Sequence, residues 1–157
     1  MKWYFVTVNT KNHISHFGEV TNEEMVLNTL GDTAKTFWEQ IPIHYKNVEL
    51  DYFVIMPNHI HGIIILNERR DVACNVSTNE MGKISPKRNS LSVVIRGFKS
   101  ALTKYAHENG IINFCWQPRF YDRIIRNEKE LFEIRKYIEE NPVRWEFEKN
   151  IPENLDS

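Results

Sequence analysis

Two strand-length runs separated only by Pro57-Asn58 limit this chain more than any other feature. Residues 47–56 alternate. Val48, Leu50, Tyr52, Val54 and Met56 would share one face, and Glu49, Asp51, Phe53 and Ile55 the other. His59 to Leu66 is almost continuously apolar and β-branched. Pro57-Asn58 is a turn signal, so the pair reads as an antiparallel hairpin. Apolar residues on both faces of both strands place that hairpin centrally in a sheet.

Strand and helix patterns alternate along the rest of the chain. Trp3 to Val8 is a strand, and Asn9 to Gly18 is turn-rich, with a short strand expected near Ile14–Phe17. Thr21-Asn22-Glu23-Glu24 fits a capping box. A helix should follow on Val26, Leu27, Leu30, Ala34, Phe37, Trp38 and Ile41, ending at Pro42. Leu91, Val94, Ile95, Phe98, Leu102 and Tyr105 make the stripe of a second helix. Short strands are expected at Phe114–Trp116 and Phe120–Ile125. A third helix spans Glu128–Glu140 and stops at Asn141-Pro142. The order β-α-β-β-α-β-α predicts an α+β, ferredoxin-like (RRM-like) antiparallel sheet with helices packed on one face.

The 157 residues, 41% hydrophobic and 12% aromatic, suit one domain over 1–157 with a sizeable core. A polar stretch at about 67–90 reads as a long loop. There is no apolar run of membrane-spanning length and no signal-peptide pattern at the N-terminus. Two cysteines, Cys74 and Cys115, make no disulfide framework. These features predict a cytoplasmic, reduced protein without a membrane partner.

Three features carry chemistry. In His59-Ile60-His61 the two imidazoles are at i and i+2 of a strand, so they face the same way and could share a metal ion. The plain alternative is two histidines on a sheet surface. Tyr137 lies on the flank of the third helix, one turn before Asn141; a tyrosine hydroxyl can serve as a nucleophile, or simply be the wet end of a packed ring. Net charge is only −1, yet Met81 to His107 holds Lys83, Lys87, Arg88, Arg96, Lys99 and Lys104 and no acid. Arg96, Lys99 and Lys104 lie off the apolar stripe, as a phosphate-binding face would. The segment Trp116-Gln117-Pro118-Arg119-Phe120-Tyr121-Asp122-Arg123, followed by Arg126, mixes aromatics with arginines, which suits base stacking and phosphate contact on a single strand.

In combination these segments resemble a known family. Met56-Pro57-Asn58-His59-Ile60-His61-Gly62-Ile63-Ile64 resembles the HUH (histidine-hydrophobic-histidine) motif of the IS200-like single-tyrosine transposases. Trp116 to Asp122 and Ile125-Arg126-Asn127 resemble the REP-associated tyrosine transposase branch, and Tyr137 to Trp145 resembles its tyrosine helix. The likeness spans roughly Trp3 to Trp145. It implies a ferredoxin-like fold, Mg²⁺ or Mn²⁺ on His59 and His61 with Asn141 at the third ligand position, and Tyr137 as nucleophile. The implied substrate is single-stranded DNA beside a hairpin or repeat, cut through a 5′-phosphotyrosine intermediate and rejoined. Both single-chain and dimeric relatives are implied, so the oligomeric state stays open, and a prokaryotic relative would work at the nucleoid. Two other readings come from the residues themselves: a non-catalytic nucleic-acid-binding module on the same sheet, and a structural zinc site, which would need four ligands.

Overall fold

The computed structural model describes residues 1–67 and 90–149. The long loop expected at about 67–90, together with Cys74, Lys83, Lys87 and Arg88, lies outside the described residues apart from Asn67 and Ser90. Among the described residues six strands and five α-helices follow in the order β1 (Lys2–Asn9), β2 (Gly18–Thr21), β3 (Glu24–Leu27), α1 (Thr29–Glu39), α2 (Ile41–His44), β4 (Val48–Met56), β5 (His59–Leu66), α3 (Leu91–Glu108), β6 (Tyr121–Ile125), α4 (Glu128–Glu139) and α5 (Asn141–Lys149), with a short 3-10 turn at Lys11–His13.

The main sheet has the order β4-β5-β1-β6, and every neighbouring pair is antiparallel. With α1 and α3 as the two crossovers, this is the ferredoxin-like arrangement expected from the element order. The hairpin is not central, however. β5 is an interior strand, but β4 is an edge, because β5 spends its second edge on β1. Apolar residues on both faces of β4 have another cause: both faces of the sheet are covered.

One face carries the larger core. Val6, Val8, Ile60 and Ile64 of the sheet pack there with Leu30, Ala34 and Trp38 of α1 and Val94, Ile95, Phe98 and Leu102 of α3. On the other face Ile63 and Ile125 meet Ile134 and Ile138 of α4, with Trp3, Phe5 and Val54 beside them. The third helix thus forms a layer opposite the other two.

Local chemistry explains where the sequence expectations slip. Thr21–Glu24 is not a capping box. Asn22 (φ 54°) and Glu23 (φ 65°) both have left-handed backbones, which makes a two-residue hairpin turn joining β2 to β3. Val26 and Leu27 therefore belong to a strand. The helix begins about two turns later, where the Asn28 side chain accepts from the Gly31 N–H at 2.8 Å. No strand forms at 14–17; Phe17 is instead fully buried in the larger core. The strand expected at 114–116 is reduced to a single bridge between Trp116 and Thr10. Asn141-Pro142 does stop α4, but it also starts α5. A proline in the first turn of a helix forfeits no hydrogen bond, and the turn continues through the Arg144 N–H to the Glu140 carbonyl at 2.9 Å.

Two details set the site. β4 has a register irregularity between Leu50 and Phe53, so its alternation changes phase. Leu50, Phe53 and Ile55 face the larger core, whereas Asp51 and Tyr52 meet Arg135 of α4. Arg135 holds Asp51 with both ends of its fork, Nε to Oδ1 at 3.0 Å and Nη2 to Oδ2 at 2.6 Å, and stacks on the Tyr52 ring at 5.2 Å. This clamp ties the helix that carries Tyr137 to β4. The second detail is Gly62. A Cβ there would lie 2.5 Å from Cζ2 of Trp38, so only glycine lets the buried indole rest on β5 directly behind the histidines.

Candidate active site

His59 and His61 leave β5 on the face covered by α4, as their i, i+2 spacing predicts. Their ring centroids are 4.5 Å apart. Each ring is held through Nδ1. The Thr7 hydroxyl, directly across the β1–β5 ladder from His61, lies 2.9 Å from its Nδ1. Asn58 Oδ1 is 2.7 Å from Nδ1 of His59. Asn58 Nδ2 is committed to the His13 carbonyl at 3.2 Å, so Asn58 presents its oxygen to the ring, and His59 Nδ1 is the donor. That protonation leaves the Nε2 lone pair of His59 for an electrophile.

Burial keeps both rings neutral. It lowers His59 to a pKa of about 4, against the raising effect of a hydrogen bond to the Asn141 side chain and with a further push down from His13. It lowers His61 to about 3, helped by the neighbouring His59 charge. At neutral pH both are lone-pair donors.

The end of α4 and the start of α5 complete the cleft. The Tyr137 ring meets the His61 ring edge-on at 5.2 Å, and Phe5 stacks on His61 at 5.4 Å and meets the Tyr137 ring edge-on at 6.1 Å. Tyr137 is 37% exposed, so the ring is packed while part of the side chain stays open. Asn141 is only 5% exposed. Its Nδ2 donates to the Tyr137 carbonyl at 2.9 Å. With Nδ2 committed there, Oδ1 is the atom Asn141 has left to accept or to ligate. The cleft holds about 510 Å³. Sequence reasoning missed several of its residues: Thr7, Asn58 and Arg144, whose guanidinium lies 5.3 Å from the Tyr137 ring centre, and also His13, Trp145 and Glu148. The signals were weak, since Thr7 becomes relevant only through β-ladder register, Asn58 and His13 only through the turns that bring them beside His59, and Arg144, Trp145 and Glu148 only once α5 exists.

Two imidazole nitrogens and an amide oxygen suit a divalent ion of the Mg²⁺ or Mn²⁺ kind, with the nitrogens favouring Mn²⁺. Four-ligand zinc does not fit: among the described residues no cluster of three His, Cys, Asp or Glu could hold a metal, and Cys115 is free and exposed.

The remaining expected residues fall elsewhere. Arg96, Lys99, Lys104, Trp116 and Arg119 come together in a groove between α3 and the segment leading into β6, on the opposite side of the sheet from the histidines. Within it Lys99 and Trp116 have structural duties. Lys99 Nζ donates to the carbonyls of Gln117 and Arg119, both at 3.0 Å, and burial lowers its pKa. Trp116 Nε1 donates to the Lys99 carbonyl at 3.1 Å, and its ring packs against Phe17, Phe98 and Phe114. Arg123 is exposed on β6 and faces Phe5, which places it on the histidine side. Arg126 is exposed at the entry to α4, and its N–H donates to Glu130 at 2.9 Å. No helix among the described residues is long and apolar enough to cross a membrane.

Comparison with known proteins agrees with this architecture. No family model matches the chain. Among solved structures it is similar to a REP-associated tyrosine transposase bound to a REP hairpin, with a TM-score of 0.60 and 24% identity over 92% of this chain and 68% of that one. It is also similar to a crystal structure from Deinococcus radiodurans R1 assigned as a transposase, with a TM-score of 0.50 and 15% identity over 88% and 90% of the two chains. These likenesses show a transposase-like fold. In sequence it is 39% identical over 147 residues to an uncharacterized protein of Haemophilus influenzae, covering 92% of this chain and 82% of the relative. An identity of that size over nearly the whole length means that the chain belongs to the same family as the Haemophilus influenzae protein.

Proposed function

We propose that this chain is an HUH-type, REP-associated-transposase-like enzyme that cuts and rejoins single-stranded DNA beside a hairpin or repeat. The observation that carries the reading is the contact of the Tyr137 ring with His61 at 5.2 Å, which gathers a nucleophile, two neutral imidazoles and an amide oxygen in one cleft of one chain. The three motifs and the fold shared with a transposase bound to a REP hairpin support it.

In this mechanism Tyr137 Oη attacks the scissile phosphorus and the bond to the 3′-oxygen breaks. The products are a 5′-phosphotyrosine and a free 3′-hydroxyl, and attack by a 3′-hydroxyl reverses the step. A divalent ion on His59, His61 and Asn141 would supply Lewis-acid activation of the phosphate. The chain's own groups do the rest. Thr7 and Asn58 hold the rings by Nδ1, the Arg135–Asp51 clamp ties α4 to β4, and Arg144 offers a cation beside the tyrosine for the phosphate charge.

The test is to incubate the protein with a labelled hairpin-bearing DNA strand and Mn²⁺ and to run a denaturing gel. A label that migrates with the protein is expected, and its loss on chelation. Binding without any adduct would select the non-catalytic nucleic-acid module instead.

A further inference from the structure

The β2–β3 hairpin has no place in the four-stranded frame. It forms a two-stranded sheet of its own, inserted between β1 and α1. A lone hairpin of two short strands is marginal in water, so it depends on what it touches. Its base is anchored. Gly18 holds φ at 137°, and a Cβ there would lie 2.1 Å from the Val26 carbonyl oxygen, so only glycine lets the two strands close. The Asn28 N–H donates to the Phe17 carbonyl and the Asn28 Nδ2 to the His16 carbonyl, both at 3.0 Å, which fastens the hairpin's exit to the segment before it.

The tip of the hairpin reaches α5, whose two faces do different things. Asn141, Arg144, Trp145 and Glu148, at i, i+3, i+4 and i+7, line the histidine cleft. Val143, Glu146 and Phe147 line a second cavity, of about 870 Å³, together with Asn22 and Glu23 of the hairpin turn. Thr21 and Glu24 are the last pair of the β2–β3 ladder, so the N–H groups of Asn22 and Glu23 lie outside it. The left-handed turn presents the Glu23 N–H to α5, and the half-buried Glu146 carboxylate accepts it through Oε1. This bond holds α5 from outside the cleft. Arg144 borders both cavities, so a shift of α5 on the hairpin would move the cation beside Tyr137 and the Asn141 amide together.

We propose that the β2–β3 hairpin is the seat of α5 and that Glu146 is a positioning residue. By taking the Glu23 N–H it keeps Asn141 in reach of an ion on His59 and His61, and Arg144 beside Tyr137. The inference rests on the metal-dependent cleavage reading above and adds to it a residue that acts only through α5.

The test compares Glu146→Ala, Glu146→Gln and Glu23→Gly with the wild type. Three quantities are measured: amide hydrogen exchange by mass spectrometry without metal, Mn²⁺ affinity by titration calorimetry without DNA, and the rate of adduct formation at saturating Mn²⁺ and DNA. Glu146→Ala removes the acceptor. Exchange should quicken in α5 and stay unchanged in α3, and Mn²⁺ affinity should fall by about 10-fold, the low end for losing a group that supports a ligand. Adduct formation should slow even at saturating Mn²⁺, because Arg144 moves with α5. Glu146→Gln keeps an oxygen acceptor and should restore most of all three, which separates the effect from misfolding. Glu23→Gly keeps the N–H and the left-handed turn and should match the wild type. Unchanged α5 exchange and Mn²⁺ affinity in Glu146→Ala would overturn the proposal. So would a Glu146→Gln as impaired as Glu146→Ala, or a Glu23→Gly as impaired as either. Each of those results leaves the cleavage reading standing. A wild type that binds no Mn²⁺ and forms no adduct would overturn that reading, and this use of the hairpin with it.

Discussion

Asn58 and His59, neighbours at the β4–β5 turn, are joined side chain to side chain, with the Asn58 amide oxygen 2.7 Å from His59 Nδ1. The bond fixes which ring nitrogen carries the proton, and so which one can bind a metal. Asn58→Ala should weaken Mn²⁺ binding by about 10- to 100-fold, the usual effect of losing such a supporting contact, as titration calorimetry without DNA would show. Asn58→Asp keeps the acceptor and should keep most of the affinity. Equal losses in both variants would mean that the turn, not the hydrogen bond, is what matters.

Gly62 lets Trp38 lie against the strand that carries both histidines. Gly62→Ala forces a Cβ to within 2.5 Å of the indole. Overpacking of this kind should cost about 1–3 kcal/mol in urea unfolding. Trp38→Phe in the same background should return part of it.

The Arg135–Asp51 pair is part-buried, with side chains 37% and 10% accessible, and its arginine end reaches solvent, so its worth to stability is modest. A double-mutant cycle should give a coupling of about 0.2–1 kcal/mol. Its effect on adduct formation should be much larger, because the pair ties the helix that carries Tyr137 to β4. If Arg135→Lys left the rate of adduct formation unchanged, the clamp would have no positioning role.

Arg96 and Lys104 are expected to contact phosphates. Neutralising either should weaken DNA binding for all sequences and lower the salt slope by about one. Lys99→Met should behave differently, lowering the melting temperature, because Lys99 Nζ bonds two carbonyls of the loop.

Much of this site was legible in the sequence because strand periodicity is rigid. The i, i+2 spacing put His59 and His61 together, and the helical spacing put Asn141 one turn from Tyr137. What was not legible depends on register and on layers. No local pattern says that Thr7 lies across from His61, or that Asp51 and Tyr52 share a bulge facing α4. Thr21–Glu24 failed because a capping box and a hairpin turn draw on the same residue types; the deciding fact, two consecutive left-handed residues, is conformational. Asn141-Pro142 was read as a stop alone, which hid α5 and with it Arg144. The helix face and the aromatic-arginine segment were both read as contacts to nucleic acid, and the sheet divides their residues: Arg96, Lys104 and Arg119 on one side, Arg123 on the other.

The account turns on Tyr137, and its only rival is Tyr121, which is 69% exposed on β6 opposite Thr7 and so on the histidine side of the sheet. The most direct measurement is peptide mapping of the protein–DNA adduct by mass spectrometry, run beside Tyr137→Phe and Tyr121→Phe. The nucleotide should be found on Tyr137. Tyr137→Phe should fold, bind Mn²⁺ and DNA, and form no adduct, while Tyr121→Phe still forms it. An adduct on Tyr121, or one that survives in Tyr137→Phe, would contradict the account.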